Sequence, residues 1–92
     1  MKIIEIRASI EQCNEAGWLA FDFFTAEPLT EADILAMKPI GNFLYLSMLK
    51  APFFKIDGDY FHIKGIKGND YFRIAVHKEY IYHIEKLKSK LR

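Results

Sequence analysis

The sequence predicts an α+β fold in a single domain, residues 1–92, organised around an antiparallel sheet. Three observations indicate this class. Residues 53–77 form three alternating runs of apolar and polar side chains separated by glycine-containing turns, which is typical of a three-stranded meander. Residues 2–11 alternate in the same way. From residue 78 the apolar spacing becomes that of an amphipathic C-terminal helix, which we expect to pack on the apolar face of the sheet.

Composition limits the classes of protein to which the chain can belong. Its hydrophobic fraction of 51% and aromatic fraction of 15% favour a packed core over disorder. The single cysteine, Cys13, excludes an intrachain disulfide and favours a reducing compartment. Glu5 and Arg7 interrupt the apolar start, unlike a signal peptide, and no apolar run is long enough to cross a bilayer. We therefore expect a soluble, cytoplasmic protein without a membrane partner.

Residues 2–11 predict an N-terminal strand. Alternation places Ile4, Ile6 and Ala8 on one face, with charged and polar side chains on the other. The acidic residues of that polar face can neutralise basic neighbours if this strand joins the same sheet as the meander.

Residues 12–26 allow two interpretations. As a helix, the segment would begin with a capping box formed by Ser9 and Gln12. As a hairpin, residues 12–17 would be a loop and residues 18–24 a second strand rich in aromatic side chains. An asparagine and a glycine within the loop segment are poor residues for a helix interior, so we favour the hairpin.

The middle of the chain predicts one or two short helices. Thr30 is a suitable N-cap and Asp33 a favourable acidic residue in the first turn, so residues 31–38 predict a helix that ends before the next proline. Residues 42–50 are apolar almost all round, which indicates burial as either a helix or a strand. We interpret them as a second helix, capped by Asn42 and stopped by the proline that follows.

The two turns of the meander determine its register. Residues 57–59 can form a two-residue loop as Asp-Gly or as Gly-Asp, and both choices keep the same side chains on the apolar face. The second turn is centred on Gly68 and Asn69. It places Gly65 opposite Phe72, whose ring can cover the glycine. The apolar face then consists of Phe54, Ile56, Phe61, Ile63, Ile74 and Val76.

The opposite face of the meander carries a functional signal. Lys64 is predicted to lie opposite Arg73, and like charges across a ladder repel each other. Exposed tyrosines can stack on bases while lysine and arginine hold phosphates, so this face could bind anions or nucleic acid. Pairing of the two cations with Glu5 or Glu11 would instead make it an ordinary solvated face. The candidate binding residues are Lys55, Tyr60, His62, Lys64, Tyr71 and Arg73.

The sequence predicts no catalytic site, metal site or cofactor. His62 and His77 are expected on one face, but they lack the spacing of metal-binding motifs. Cys13 has no base nearby in the sequence that would activate its thiol. The glycines lack the spacing and the lysine of a phosphate-binding loop. We therefore expect that the protein is not an enzyme.

Two functions are compatible with these features. The first is a small, non-enzymatic protein-interaction module that can form a homodimer, because the chain has more large apolar side chains than one small core needs. The second is weak nucleic-acid or anion binding on the basic face of the meander. Residues 1–49 carry three basic and seven acidic side chains, and residues 50–92 carry ten and five. This asymmetry fits a basic binding surface, but it also fits two halves that attract each other. The surplus apolar residues are Trp18, Phe23, Phe43, Tyr45 and Phe53.

Overall fold

The computed structural model describes residues 1–9 and 17–91, and its α+β architecture agrees with the predicted class. One sheet contains six antiparallel strands, which are β1 (Ile3–Ala8), β2 (Trp18–Thr25), β3 (Asn42–Leu46), β4 (Phe53–Asp57), β5 (Phe61–Ile66) and β6 (Tyr71–His77). The described residues contain two short helices, α1 (Glu31–Ala36) and α2 (His83–Lys90), together with 3₁₀ turns at Lys38–Ile40 and Lys78–Tyr80. The strand order is β1-β2-β6-β5-β4-β3, so β1 and β3 are the edges. The predicted three-stranded meander is half of this larger sheet.

The predicted register of β5 and β6 is confirmed. Gly65 lies opposite Phe72, and Lys64 lies opposite Arg73. Gly68 has a φ of 92°, a conformation that residues with a Cβ rarely adopt. The Asn69 N–H donates to the Ile66 carbonyl at 3.2 Å, so the turn is centred on Lys67 and Gly68, one residue earlier than predicted. A positive φ at the second central position is the feature of a type II turn. The local turn chemistry therefore sets this pairing.

The first turn of the meander differs from the prediction. Asp57 lies opposite His62, so residues 58–60 connect β4 to β5 and neither predicted two-residue loop forms. The Gly58 N–H donates to the Phe61 carbonyl at 2.9 Å, and the Phe61 ring packs so close to Gly58 that a Cβ there would collide with it. Because the observed register differs from both predicted registers by an even number of residues, the predicted apolar face is kept.

The hairpin interpretation of the N-terminal region agrees with the antiparallel pairing of β1 and β2. Residues 12–16 of its predicted loop, residues 12–17, lie outside the described part of the chain. The predicted face of β1 is wrong at Ile4, because a bulge between Ile3 and Glu5 shifts the register. As a result Ile4 is exposed to solvent, and Ile3 packs against the core instead.

The predicted helix over residues 42–50 is wrong, because Asn42–Leu46 forms the edge strand β3. Phe43 and Tyr45 lie opposite two buried residues of β4, so both rings extend the apolar face of the sheet. A segment that is apolar on every side has no period that distinguishes a helix from a strand. Its aromatic residues and the pairing edge offered by β4 favour the strand.

Helix α1 begins as predicted. The Thr30 hydroxyl accepts a hydrogen bond from the Asp33 N–H at 3.1 Å, and the Asp33 carboxylate accepts one from the Thr30 N–H at 3.0 Å. These reciprocal bonds form a capping box that satisfies the first backbone donors of the helix. The helix ends at Ala36, two residues earlier than predicted, because the chain tightens into the proline-containing turn Lys38–Ile40.

Both helices pack on the same face of the sheet, and the core lies between the helices and this face. Helix α2 contributes Leu87, with Leu91 at its end, as the amphipathic pattern predicts. It begins at His83 because Lys78–Tyr80 forms a 3₁₀ turn, whose Glu79 N–H donates to the ring of His77.

Neither helix of the described chain combines the length and the hydropathy needed to cross a membrane. We call the other side of the sheet the open face. The core consists of Phe23, Leu29, Ile34, Met37, Phe54, Ile56, Ile63, Phe72, Ile74, Leu87 and Leu91.

Candidate functional site

The open face carries a row of charged side chains that runs across five strands. Neighbouring strands lie about 4.8 Å apart, so the row is about 19 Å long. Lys64 is opposite both Arg73 and Lys55, which places three cations in succession. We call this set the cationic row, and it consists of Arg7, Asp22, Arg73, Lys64 and Lys55.

A second row lies two residues further along β2, β6, β5 and β4 and is formed by apolar and aromatic side chains. The rise of a strand puts the two rows about 6.8 Å apart. The ring centroids of Phe24 and Tyr71 are 5.6 Å apart with their planes at 33°. Tyr71 keeps 39% of its surface exposed. We call this set the apolar row, and it consists of Phe24, Tyr71, Ile66 and Phe53.

An open depression of about 480 Å³ lies where the two rows meet. Its volume falls within the range of small-ligand sites, which is roughly 300 to 1,000 Å³. Charged side chains of the cationic row line one side of it, and side chains of the apolar row line the other. The residues of the two rows that line it are Asp22, Arg73, Lys64, Phe24, Tyr71, Ile66 and Phe53.

The acidic side chain of Glu5 has an identified partner on the open face. Glu5 accepts a hydrogen bond from Arg7 at 2.6 Å, and this bond lowers the pKa of Glu5. The Arg7 guanidinium also lies 4.8 Å from the centre of the Phe24 ring, a cation–π contact that joins the two rows. Glu11, the other acidic residue considered for neutralising the cations, lies outside the described residues. The identified partner of Glu5 is therefore its strand neighbour Arg7.

Asp57 links the face to the first turn of the meander. Its carboxylate lies 2.8 Å from the Nδ1 atom of His62 and 3.6 Å from the Lys55 ammonium. The hydrogen bond to His62, followed by the charge of Lys55, lowers the pKa of Asp57 below its ordinary value of 3.8. A carboxyl group whose pKa is lower in the folded state stabilises the fold in its ionised form.

Asp57→Asn is expected to change the acid limb of the stability profile. Because the pKa of Asp57 is lowered in the folded state, its ionised carboxylate stabilises the fold above pH 3.8. This stabilisation is lost as the pH falls through the lower pKa of the folded state. The side chains of Asp57 and His62 are both exposed to solvent, so this stabilisation is below about 1 kcal/mol. Urea titrations between neutral pH and pH ~3 should show a shallower acid limb in the variant. An acid limb identical to that of the control variant Asp59→Asn would contradict this role.

The structure brings five of the six candidate residues from the sequence onto the open face. Tyr60 is the exception, since its ring stacks on Tyr80 at 4.2 Å and on His83 at 5.2 Å, beside the C-terminal segment. Sequence reasoning missed Phe24 and Arg7, because their place in the rows depends on β1 and β2. The polar Asp22 within an aromatic run was the available signal of an alternating face. The five residues on the face are Lys55, His62, Lys64, Tyr71 and Arg73.

Trp18 joins the two histidines that the sequence places on one face. Its ring stacks on His62 at 5.0 Å and meets the edge of His77 at 5.8 Å. The His77 Nδ1 atom already accepts a backbone hydrogen bond, which fixes its orientation. Over residues 1–9 and 17–91, no three histidine, cysteine or acidic side chains are grouped as metal ligands would be. Cys13 lies outside the described residues.

The two edges of the sheet differ in their protection. β1 carries a bulge and the charged pair of Glu5 and Arg7, features that discourage pairing with another strand. β3, with the sequence NFLYL, contains no charged residue and no proline. On it Leu44 is 42% exposed, and in the following loop Met48 is 77% exposed beside Leu49. We call β3 together with Met48 and Leu49 the β3 edge.

The fold defines a class of structure, an α+β domain whose six-stranded sheet has one face packed against helices and one open face. Open sheet faces and edges can bind partners through side chains from several strands or through backbone pairing. No protein-family model matches the chain, and no curated protein or solved structure is significantly similar to it. Functional proposals for this chain therefore rest on its own residues.

Proposed function

We propose that the chain is a small, non-enzymatic protein-interaction module that forms a homodimer through the β3 edge. The observation that carries the proposal is the contrast between the edges, one bulged and charged, the other uncharged and apolar. An edge strand presents unpaired backbone donors and acceptors, which another strand can satisfy. Strand addition is a common mode of protein recognition.

The sequence of β3 suits pairing with a second copy of itself. In an antiparallel pair centred on Leu44, this leucine lies opposite the same leucine of the other copy. Phe43 of each copy then lies opposite Tyr45 of the other, which makes two aromatic cross-strand pairs on the core side. A two-fold axis relates the copies, so the same surface serves both.

The expected affinity is modest. Pairing two five-residue strands buries less surface than a standard protein interface, even with Met48 and Leu49 added at the ends. We therefore expect a dissociation constant of roughly 1 to 100 μM. At cellular concentrations in that range, the chain would exchange between one and two copies.

Leu44→Lys is expected to convert the dimer to a monomer, because the two lysines of a symmetric pair would face each other. Sedimentation equilibrium over a concentration series should show dimer formation for the unmodified chain and a dissociation constant raised at least about tenfold in the variant. Ile4→Lys is the matched control, since Ile4 is 61% exposed and lies on β1, at the opposite edge of the sheet from β3. A sedimenting mass of 10.8 kDa for the unmodified chain at millimolar concentration would overturn the proposal.

A further inference from the structure

We infer that the open face binds single-stranded nucleic acid, with the phosphate backbone along the cationic row and the bases against the apolar row. This inference goes beyond self-association and uses a different surface. It rests on the geometry of the two rows, on the succession of cations and on the depression between them.

The parallel course of the rows is the first argument. Both cross the strands of the sheet, about 6.8 Å apart, so one extended ligand can contact them together along its length. A single strand of nucleic acid has charge along one side and flat apolar rings along the other. Proteins that bind such strands combine a basic track with aromatic side chains on which bases stack.

The succession of cations is the second argument. Lys64 is exposed and lies opposite a cation on each side, Lys55 in β4 and Arg73 in β6. Like charges directly across a ladder repel, and a phosphate placed over the row would relieve that repulsion. Asp57 lies near one end of the three cations, 3.6 Å from Lys55, and Asp22 lies opposite Arg73 at the other. Asp57 and Asp22 therefore lie beside the two outer cations, with Lys64 between them.

The depression is the third argument. Tyr71 and Phe24 form a tilted ring pair at its edge, with Phe53 on the opposite side. Its volume of about 480 Å³ is ample for one base. In a duplex the faces of the bases are stacked on one another, so these rings would reach them only in a single strand. The arrangement thus favours a single strand over a duplex.

Fluorescence anisotropy with a labelled, short, mixed-sequence strand tests this inference. The probes are single-stranded RNA, single-stranded DNA, the blunt duplex of the same sequence and inorganic polyphosphate. We expect either single strand to bind more tightly than the duplex, and the RNA-to-DNA ratio to identify the natural ligand. The logarithm of affinity should fall with the logarithm of salt concentration by about 0.7 for each phosphate neutralised.

Two variants separate charge from stacking. Lys55→Glu/Lys64→Glu should weaken binding at least about tenfold and flatten the salt dependence. Lys86→Glu/Lys90→Glu changes the net charge equally on α2 and should leave the affinity within about twofold. Tyr71→Ala should weaken binding of single strands by roughly 5- to 150-fold and leave polyphosphate binding unchanged.

Three results would overturn the inference. One is equal binding by the unmodified chain and by Lys55→Glu/Lys64→Glu, with folding of the variant confirmed by circular dichroism. Another is a duplex or polyphosphate affinity that equals that of the single strands. The third is single-strand binding that is unaffected by Tyr71→Ala, which would leave an anion site without base stacking.

Discussion

Phe72→Ala is expected to remove a large part of the stability of the domain. The Phe72 side chain is fully buried, its ring centroid is 5.5 Å from that of Phe23, and it lies opposite Gly65. Truncating a buried phenylalanine costs about 3 to 5 kcal/mol, because apolar contacts are lost and a cavity remains. Small domains have a total unfolding free energy of roughly 5 to 15 kcal/mol. Urea denaturation followed by circular dichroism measures the loss.

Phe53→Ala is the matched control for this change. Phe53 is also a phenylalanine paired within the sheet, at the start of β4, but it lies half-buried on the open face. Its truncation is expected to cost less than about 2 kcal/mol, since little cavity is created. If both variants lost the same stability, the two faces would not differ as the burial pattern indicates.

Gly65→Ala is the second change with a large expected effect. A Cβ at this position would lie 2.7 Å from the Phe54 ring and 2.9 Å from the Phe72 Cβ, and both residues are fully buried. Neither can move into empty space, so we expect a loss of about 1 to 3 kcal/mol from overpacking. Thermal or urea unfolding of the single variant measures this loss.

A double-mutant cycle identifies the cause of that loss. Phe54→Leu makes room beside Gly65, so its cost should be smaller in the Gly65→Ala background than in the unmodified chain. Gly68→Ala is the contrasting case, because nothing lies within 4 Å of its Cβ position and its φ is 92°. There the cost is conformational, about 1 to 2 kcal/mol, and Gly68→Asn should recover part of it. Additive effects of the changes at Gly65 and Phe54 would refute the steric explanation.

The parts of the fold that depend on local chemistry could be predicted from the sequence. The turn at Gly68 determines the register of its own hairpin, and the capping box at Thr30 determines the start of α1. The pairing of β2 with β6 joins segments about fifty residues apart, so no short motif encodes it. The predicted helix over residues 42–50 failed for the same reason, since only the neighbouring strand decides the conformation of a segment without a period.

The candidate site also has one part that local sequence predicts and another that depends on long-range strand pairing. Alternation alone places Lys55, Lys64 and Arg73 on one face, because a period of two needs only the strand assignment. The row that includes Phe24 requires the long-range pairing of β2. Tyr60 follows the same alternation as Lys64, but it lies just before β5, where its ring is drawn to Tyr80 and His83.

The bulge in β1 limits how large an assembly of this chain can grow. Pairing of two β3 edges would place one β1 at each outer end of a continuous sheet of both copies. There the bulge and the Glu5–Arg7 pair interrupt the regular hydrogen-bonding template that a further strand would need. A chain with two regular edges could add copies without limit and form fibres. With one regular edge and one irregular edge, addition would terminate at a closed pair.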